Sequence, residues 1–136
     1  MGRYDGFVSV KLQRLDHLAI YVSDLDRAES FYVDLLGMER RMRLPDQVLL
    51  RLGEVSIGLM HGEALPAPEP RILEDPLRKA HHAFRVEEIE FERARSALRS
   101  ADVAMSEPVD WGDHRCFYFL DPDGNLLEIV TPPSHA

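Results

Sequence analysis

His17-Leu-Ala-Ile-Tyr-Val-Ser-Asp-Leu-Asp26 and His81-His-Ala-Phe-Arg-Val-Glu-Glu-Ile-Glu90 repeat one pattern at a constant offset, 81 − 17 = 64 residues. Each has a histidine, an alanine two positions on, then an apolar residue, a valine and a closing acid–apolar–acid triplet. A ten-position match of this kind is hard to obtain by chance, and it reads as a duplicated module. A helical stretch follows each copy. In the first, Leu25, Ala28, Phe31, Tyr32, Leu35 and Leu36 recur at helical spacing, with Asp24 as N-cap and Gly37 as the stop. In the second, Phe91, Ala94, Ala97, Leu98 and Ala101 do the same.

Three short strand-like runs come after each helix, at 38–44, 47–52 and 55–61, then at 103–108, 114–120 and 126–131. Asp121-Pro-Asp-Gly-Asn125 is a hairpin sequence, because Pro presets φ and Gly accepts positive φ. The expected fold is α+β: two βαβββ modules, about 14–61 and 79–132, in a single domain over residues 1–136. A Pro-rich linker over about 62–78 joins them, with a short turn near residues 71–73. Each sheet gives one face to its helix and leaves the other, concave face to a partner or ligand.

Strand alternation sorts the side chains. Leu18, Ile20 and Val22 belong beneath the helix, and His17, Ala19 and Tyr21 on the concave face. By the repeat, His81, Ala83 and Arg85 are concave and His82 is not, a choice that a one-residue register slip would reverse. If residues 122–124 form a three-residue loop, hairpin partners sum to 121 + 125 = 246. Tyr118 then opposes Glu128, Cys116 opposes Val130, and His114, Cys116, Tyr118 and Glu128 share the concave face. Glu128 is a lone carboxylate in an apolar strand, and an unpaired buried charge is costly, so something compensates it. Arg85 or Arg115 would serve as an ion pair. A divalent cation held by His17, His81 and Glu128 is the other answer, and this donor set suits Fe, Mn, Ni, Zn or Co with positions open for substrate.

The whole-chain numbers fit that picture. Of 136 residues, 45% are hydrophobic and 29% charged, the balance of a globular protein. Sixteen Lys and Arg against 24 Asp and Glu give −8, which argues against nucleic acid or an anionic membrane as partner. Arg40, Arg41 and Arg43 form the only locally basic cluster, read as a solvated strand. No apolar run approaches the about 18–20 residues of a membrane span. Residues 1–15 do not read as a signal peptide, so the expected compartment is cytoplasmic, and the single Cys116 fits a reducing one.

Asp16 to Leu25, Ser30-Phe-Tyr-Val-Asp-Leu-Leu-Gly37, His81 to Val86 and Phe117-Tyr-Phe-Leu-Asp-Pro-Asp-Gly-Asn-Leu-Leu-Glu128 resemble the vicinal oxygen chelate superfamily. Its members include glyoxalase I, fosfomycin- and bleomycin-resistance proteins, methylmalonyl-CoA epimerase and extradiol dioxygenases. The resemblance implies paired modules closing an eight-stranded cup around one divalent metal, often at a homodimer, with His17, His81 and Glu128 as the ligands. Swapped modules would place His17 and the His81–Glu128 pair on different chains. Glyoxalase-like members carry a fourth ligand where this chain has Gly58, which cannot ligate. Tyr118 matches a tyrosine lining the site of fosfomycin-modifying members, whose lysine and serine-rich loop is replaced by Pro108-Val-Asp-Trp-Gly-Asp-His-Arg-Cys116. A His114/Tyr118 pair is loosely similar to the histidine and tyrosine that assist extradiol dioxygenases. The resemblance thus implies a metal-dependent enzyme acting on a small substrate through two adjacent oxygens, by glyoxalase- or dioxygenase-like lyase, isomerase or oxygenase chemistry, with His114 and Tyr118 as catalytic candidates. A metal-free protein that sequesters a drug-like ligand, as bleomycin-resistance relatives do, is the alternative.

Overall fold

A computed structural model describes residues 2–62 and 71–132. Strands β1 (His17–Val22), β2 (Glu39–Leu44), β3 (Gln47–Leu52) and β4 (Val55–His61) make one sheet in the order β1-β4-β3-β2. Strands β5 (His82–Arg85), β6 (Val109–Asp110), β7 (Arg115–Leu120) and β8 (Leu126–Val130) repeat that topology as β5-β8-β7-β6. In each sheet the first strand runs parallel to the last, and the remaining pairs are antiparallel. These are the paired modules that the repeat implies. Of the expected linker, 63–70 lie outside the described residues, and the turn expected near 71–73 is the first of two 3₁₀ turns, Ile72–Glu74 and Pro76–Arg78.

Helix α1 (Leu25–Glu29) starts where Asp24 accepts a hydrogen bond from the Arg27 N–H at 3.0 Å. It ends differently from the sequence expectation, running on into a π-helical segment, Ser30–Leu35, before Gly37 takes φ +78°. The wider turn, marked by Leu36 N–H to Phe31 C=O at 3.0 Å, buries the adjacent Phe31 and Tyr32 together. Helix α2 (Phe91–Ser100) buries Phe91, Arg95 and Leu98.

The expected strand over 103–108 is largely absent as a ladder, leaving one bridge between Met105 and Phe119. The Ser106 hydroxyl accepts from the Tyr118 N–H at 2.9 Å, so a side chain interrupts the backbone ladder, and Pro108 has no N–H to extend it. Regular pairing resumes only at β6. The hairpin follows the expected register: Cys116 opposes Val130, Tyr118 opposes Glu128 and Leu120 opposes Leu126.

Strand β2 carries a bulge between Arg40 and Met42. Arg40 opposes Leu50 and Arg43 opposes Val48, both fully buried, while Met42 opposes Leu49.

The helix-facing sides of both sheets meet in one core, which joins Ile20, Val22, Leu50 and Leu59 of the first module to Phe117, Phe119, Leu127 and Ile129 of the second. Phe31 and Phe119 pack across it with ring centroids 6.5 Å apart. Polar ties run alongside. The Tyr32 hydroxyl donates to Asp121 Oδ2 at 2.7 Å, Arg27 pairs with Asp123 at 3.1 Å, and Asn125 Nδ2 donates to the Tyr21 carbonyl at 3.0 Å. With both helix sides turned into this core, the concave faces of the two sheets point away from it.

Candidate metal centre

On the second module's concave face, His81 and Glu128 come together, with Nε2 to Oε1 at 2.9 Å. Glu128 is 9% exposed and stands mid-strand in β8, between Ala83 of β5 and Tyr118 of β7. His81 lies just before β5, and its Nδ1 is 2.8 Å from the Lys79 carbonyl oxygen. A carbonyl only accepts, so Nδ1 carries a proton, and the short Nε2–Oε1 approach is made either by a second proton on Nε2 or by a cation that both atoms ligate. The arginine alternative for Glu128 does not hold among the described residues. Arg115 instead pairs with Glu88 at 2.6 Å and Glu92 at 3.4 Å, with its guanidinium 4.1 Å from the Phe91 ring centroid.

His17 occupies the equivalent position in the first module and is exposed. Its Nδ1 is 2.7 Å from Asp16 Oδ2, and this hydrogen bond, followed by the histidine's charge, holds the Asp16 carboxyl below its ordinary pKa. Both histidines thus have Nδ1 tied to an oxygen and Nε2 left for a cation, the arrangement in which a hydrogen-bonded outer partner fixes a ligand's tautomer. Within one chain, however, His17 stays on its own sheet, and among the described residues no three His, Cys, Asp or Glu side chains converge as a metal site. One chain assembles two of the three expected ligands.

Tyr118 is 2% exposed, its ring edge-on to His81 at 5.4 Å. Burial, then the charge of Glu128, pushes its phenol well above the ordinary tyrosine range, so it keeps its proton. Cys116 is fully buried beside it, accepts a hydrogen bond from Trp111 Nε1 at 3.4 Å, and is pushed up mainly by burial. His114 stacks on Trp111 at 6.3 Å and its Nδ1 is 2.6 Å from Asp113 Oδ1, so it sits at the margin of this face. His82 packs on the other side and is lowered by burial, then by His81. Ile72 and Leu73 cover Cys116, Tyr118 and Leu126. An apolar pair inside a Pro-rich linker was the only sequence signal for that cover, and the Asp-His dipeptide the signal for Asp16.

Tyr118 and the fully buried Tyr32, raised by burial and then by Asp121, give a pH expectation. The folded state holds both phenolic protons more tightly than the unfolded chain does. Stability is therefore complete below the unfolded value of about 10 and falls as pH rises past it. Urea midpoints at about pH 9 and about pH 11 should show this loss, and the Tyr32→Phe/Tyr118→Phe variant a smaller one. Equal losses in the two proteins would contradict it.

Two duplicated modules, each a β1-β4-β3-β2-type sheet sharing one core, define a paired-module α+β fold class, here with a His81–Glu128 pair on the second module's concave face. The model of the Glyoxalase/Bleomycin resistance protein/Dioxygenase superfamily matches residues 14–129, and the chain belongs to that family. It is 34% identical over 118 residues to the glutathione transferase FosA of Serratia marcescens, covering 87% of this chain and 80% of that protein. The metallothiol transferase FosB of Staphylococcus saprophyticus is 30% identical over 122 residues, covering 88% and 78%. Among solved structures, the fosfomycin resistance protein FosX of Listeria monocytogenes superposes with a TM-score of 0.76 at 20% identity, over 92% of this chain and 98% of that one. Among the described residues no helix is long and apolar enough to cross a membrane.

Proposed function

We propose that this chain is a divalent-metal-dependent enzyme whose centre is completed across a homodimer, with His81 and Glu128 from one protomer and His17 from the other. The observation that carries this reading is the 2.9 Å approach of His81 Nε2 to Glu128 Oε1 with Nδ1 already engaged. Two imidazoles and one carboxylate suit Fe, Mn, Ni, Zn or Co. Such an ion, when bound, supplies Lewis acidity to two adjacent oxygens of a small substrate.

The chain's own side chains do the rest. Asp16 and the Lys79 carbonyl hold the two imidazole rings in the ligating tautomer. Tyr118, opposite Glu128 in register, stays protonated and steadies that carboxylate. Ile72 and Leu73 keep water from the Tyr118 side. His114, half exposed beside Trp111, is placed to pass a proton between the face and solvent. The transferase names of the FosA and FosB relatives support nucleophilic group transfer, with a thiol as the attacking class, over isomerase or oxygenase chemistry.

Mixing two inactive variants tests the assembly. His17→Ala and His81→Ala chains, unfolded together and refolded as a 1:1 mixture, give heterodimers with one intact site and one doubly damaged site. Half the dimers are heterodimers, so roughly a quarter of wild-type metal content and thiol-transfer activity should return. No recovery, with dimers present by sedimentation, would sink the shared centre. Absence of metal from the wild type would favour the sequestering alternative.

A further inference from the structure

The basic cluster Arg40, Arg41 and Arg43 is divided by the fold. Simple alternation would place Arg41 and Arg43 on one face and Arg40 on the other. The bulge changes this, because Arg40 and Arg43 both oppose buried core residues and both turn to the helix side. There Arg40 Nε meets Glu29 at 2.9 Å, and Arg43 meets Asp26 at 3.0 Å and Glu29 at 3.6 Å. Arg41, the extra residue, is released to line the first module's concave cavity of about 490 Å³.

Arg51 of β3 lines the same cavity. Its Nε donates to the Gly53 carbonyl at 2.8 Å, which leaves both terminal nitrogens of the guanidinium available among the described residues. The acids nearby do not neutralise the pair. Asp16 is engaged by His17. Glu39, opposite Arg51 in register, lies 3.7 Å from Arg41 with side chains 67% and 52% exposed, a screened contact for which an incoming oxyanion competes at little cost. Ser56 stands in register between Arg51 and His17, and beside it Leu49, Gly58 and Met60 make an apolar stretch of wall.

Taking this face as half of the substrate cup, which rests on the function proposed above, we propose that Arg41 and Arg51 form an oxyanion-recognition site. It selects a substrate or co-substrate that carries a carboxylate or phosphonate on an apolar body, apart from the oxygens offered to His81 and Glu128. Guanidinium forks match either oxyanion in a bidentate manner, and the apolar wall accepts the rest of the molecule.

The test uses metal-free dimer in chelator, titrated calorimetrically at low salt with phenylacetate, phenylphosphonate and neutral phenylacetamide. The first two probes show which oxyanion is preferred. Wild type should bind at least one anion roughly tenfold tighter than the amide. The Arg41→Gln/Arg51→Gln variant should lose that preference, and each single variant should lose part of it if the double variant does not fold. Arg43→Gln, on the helix side, and His81→Ala should both keep it. No preference in wild type, or its survival in the arginine variants, overturns the proposal. Loss in His81→Ala also overturns it, by placing the anion at the His81–Glu128 pair. Metal content measured in parallel separates failure of this site from failure of the metalloenzyme reading.

Discussion

Replacing His81 with alanine is expected to strip the protein of divalent metal, while replacing its neighbour His82 leaves metal in place. His81, just before β5, is the residue whose Nε2 reaches Glu128, and His82, the first residue of β5, turns to the opposite side. Loss of a direct ligand should weaken binding at least as much as loss of an outer-shell partner, which costs about 10–100-fold, so a drop of at least about a hundredfold is expected. Elemental analysis of protein reconstituted anaerobically with Fe²⁺, Mn²⁺, Ni²⁺ and Zn²⁺ reads this directly. Glu128→Gln should behave like His81→Ala, because the amide keeps the shape and removes the charge. Metal retained by His81→Ala and lost by His82→Ala would mean that β5 is one residue out of register.

Phe119→Ala should cost about 3–5 kcal/mol, the usual scale for emptying a buried aromatic site. Phe119 is fully buried, packs against Phe31 of the first module at 6.5 Å, and lies 6.0 Å from Phe117, which in turn meets Phe91 at 5.4 Å. The cavity would open at the seam between the modules. Urea unfolding at fixed protein concentration should therefore show a lower midpoint with a single transition. Fluorescence of Trp111, which reports the second module, should coincide with far-ultraviolet dichroism, which reports both. Separate transitions would show that each module stands on its own core.

Much of this architecture is legible in the sequence because it obeys periodicity. The 64-residue offset locates β1 and β5, and turn chemistry at Asp121–Asn125 fixes the pairing that sets Tyr118 opposite Glu128. The choice of His81 over His82 needs only alternation. What escapes the sequence is wherever one residue departs from a period. The bulge at Arg41 makes a basic run that reads as a uniform solvated strand serve two faces. The π-helical segment buries adjacent aromatics that an α-helical wheel would splay. Ser106 substitutes a hydroxyl for a backbone group and dissolves an expected strand. The separation of His17 from His81 has a different origin. It follows from which faces of the sheets share a core, and no pattern within either module encodes that.

The two copies of the module have diverged in a consistent direction. Where the second has Glu128 flanked by Tyr118, the first has Gly58 flanked by Leu49. Under the function proposed above, the second module supplies the carboxylate and the first keeps only His17 as a ligand, which leaves β2 and β3 to shape what the cup accepts. Laboratory evolution toward new substrates should accordingly collect its gains in β2 and β3 while sparing β8.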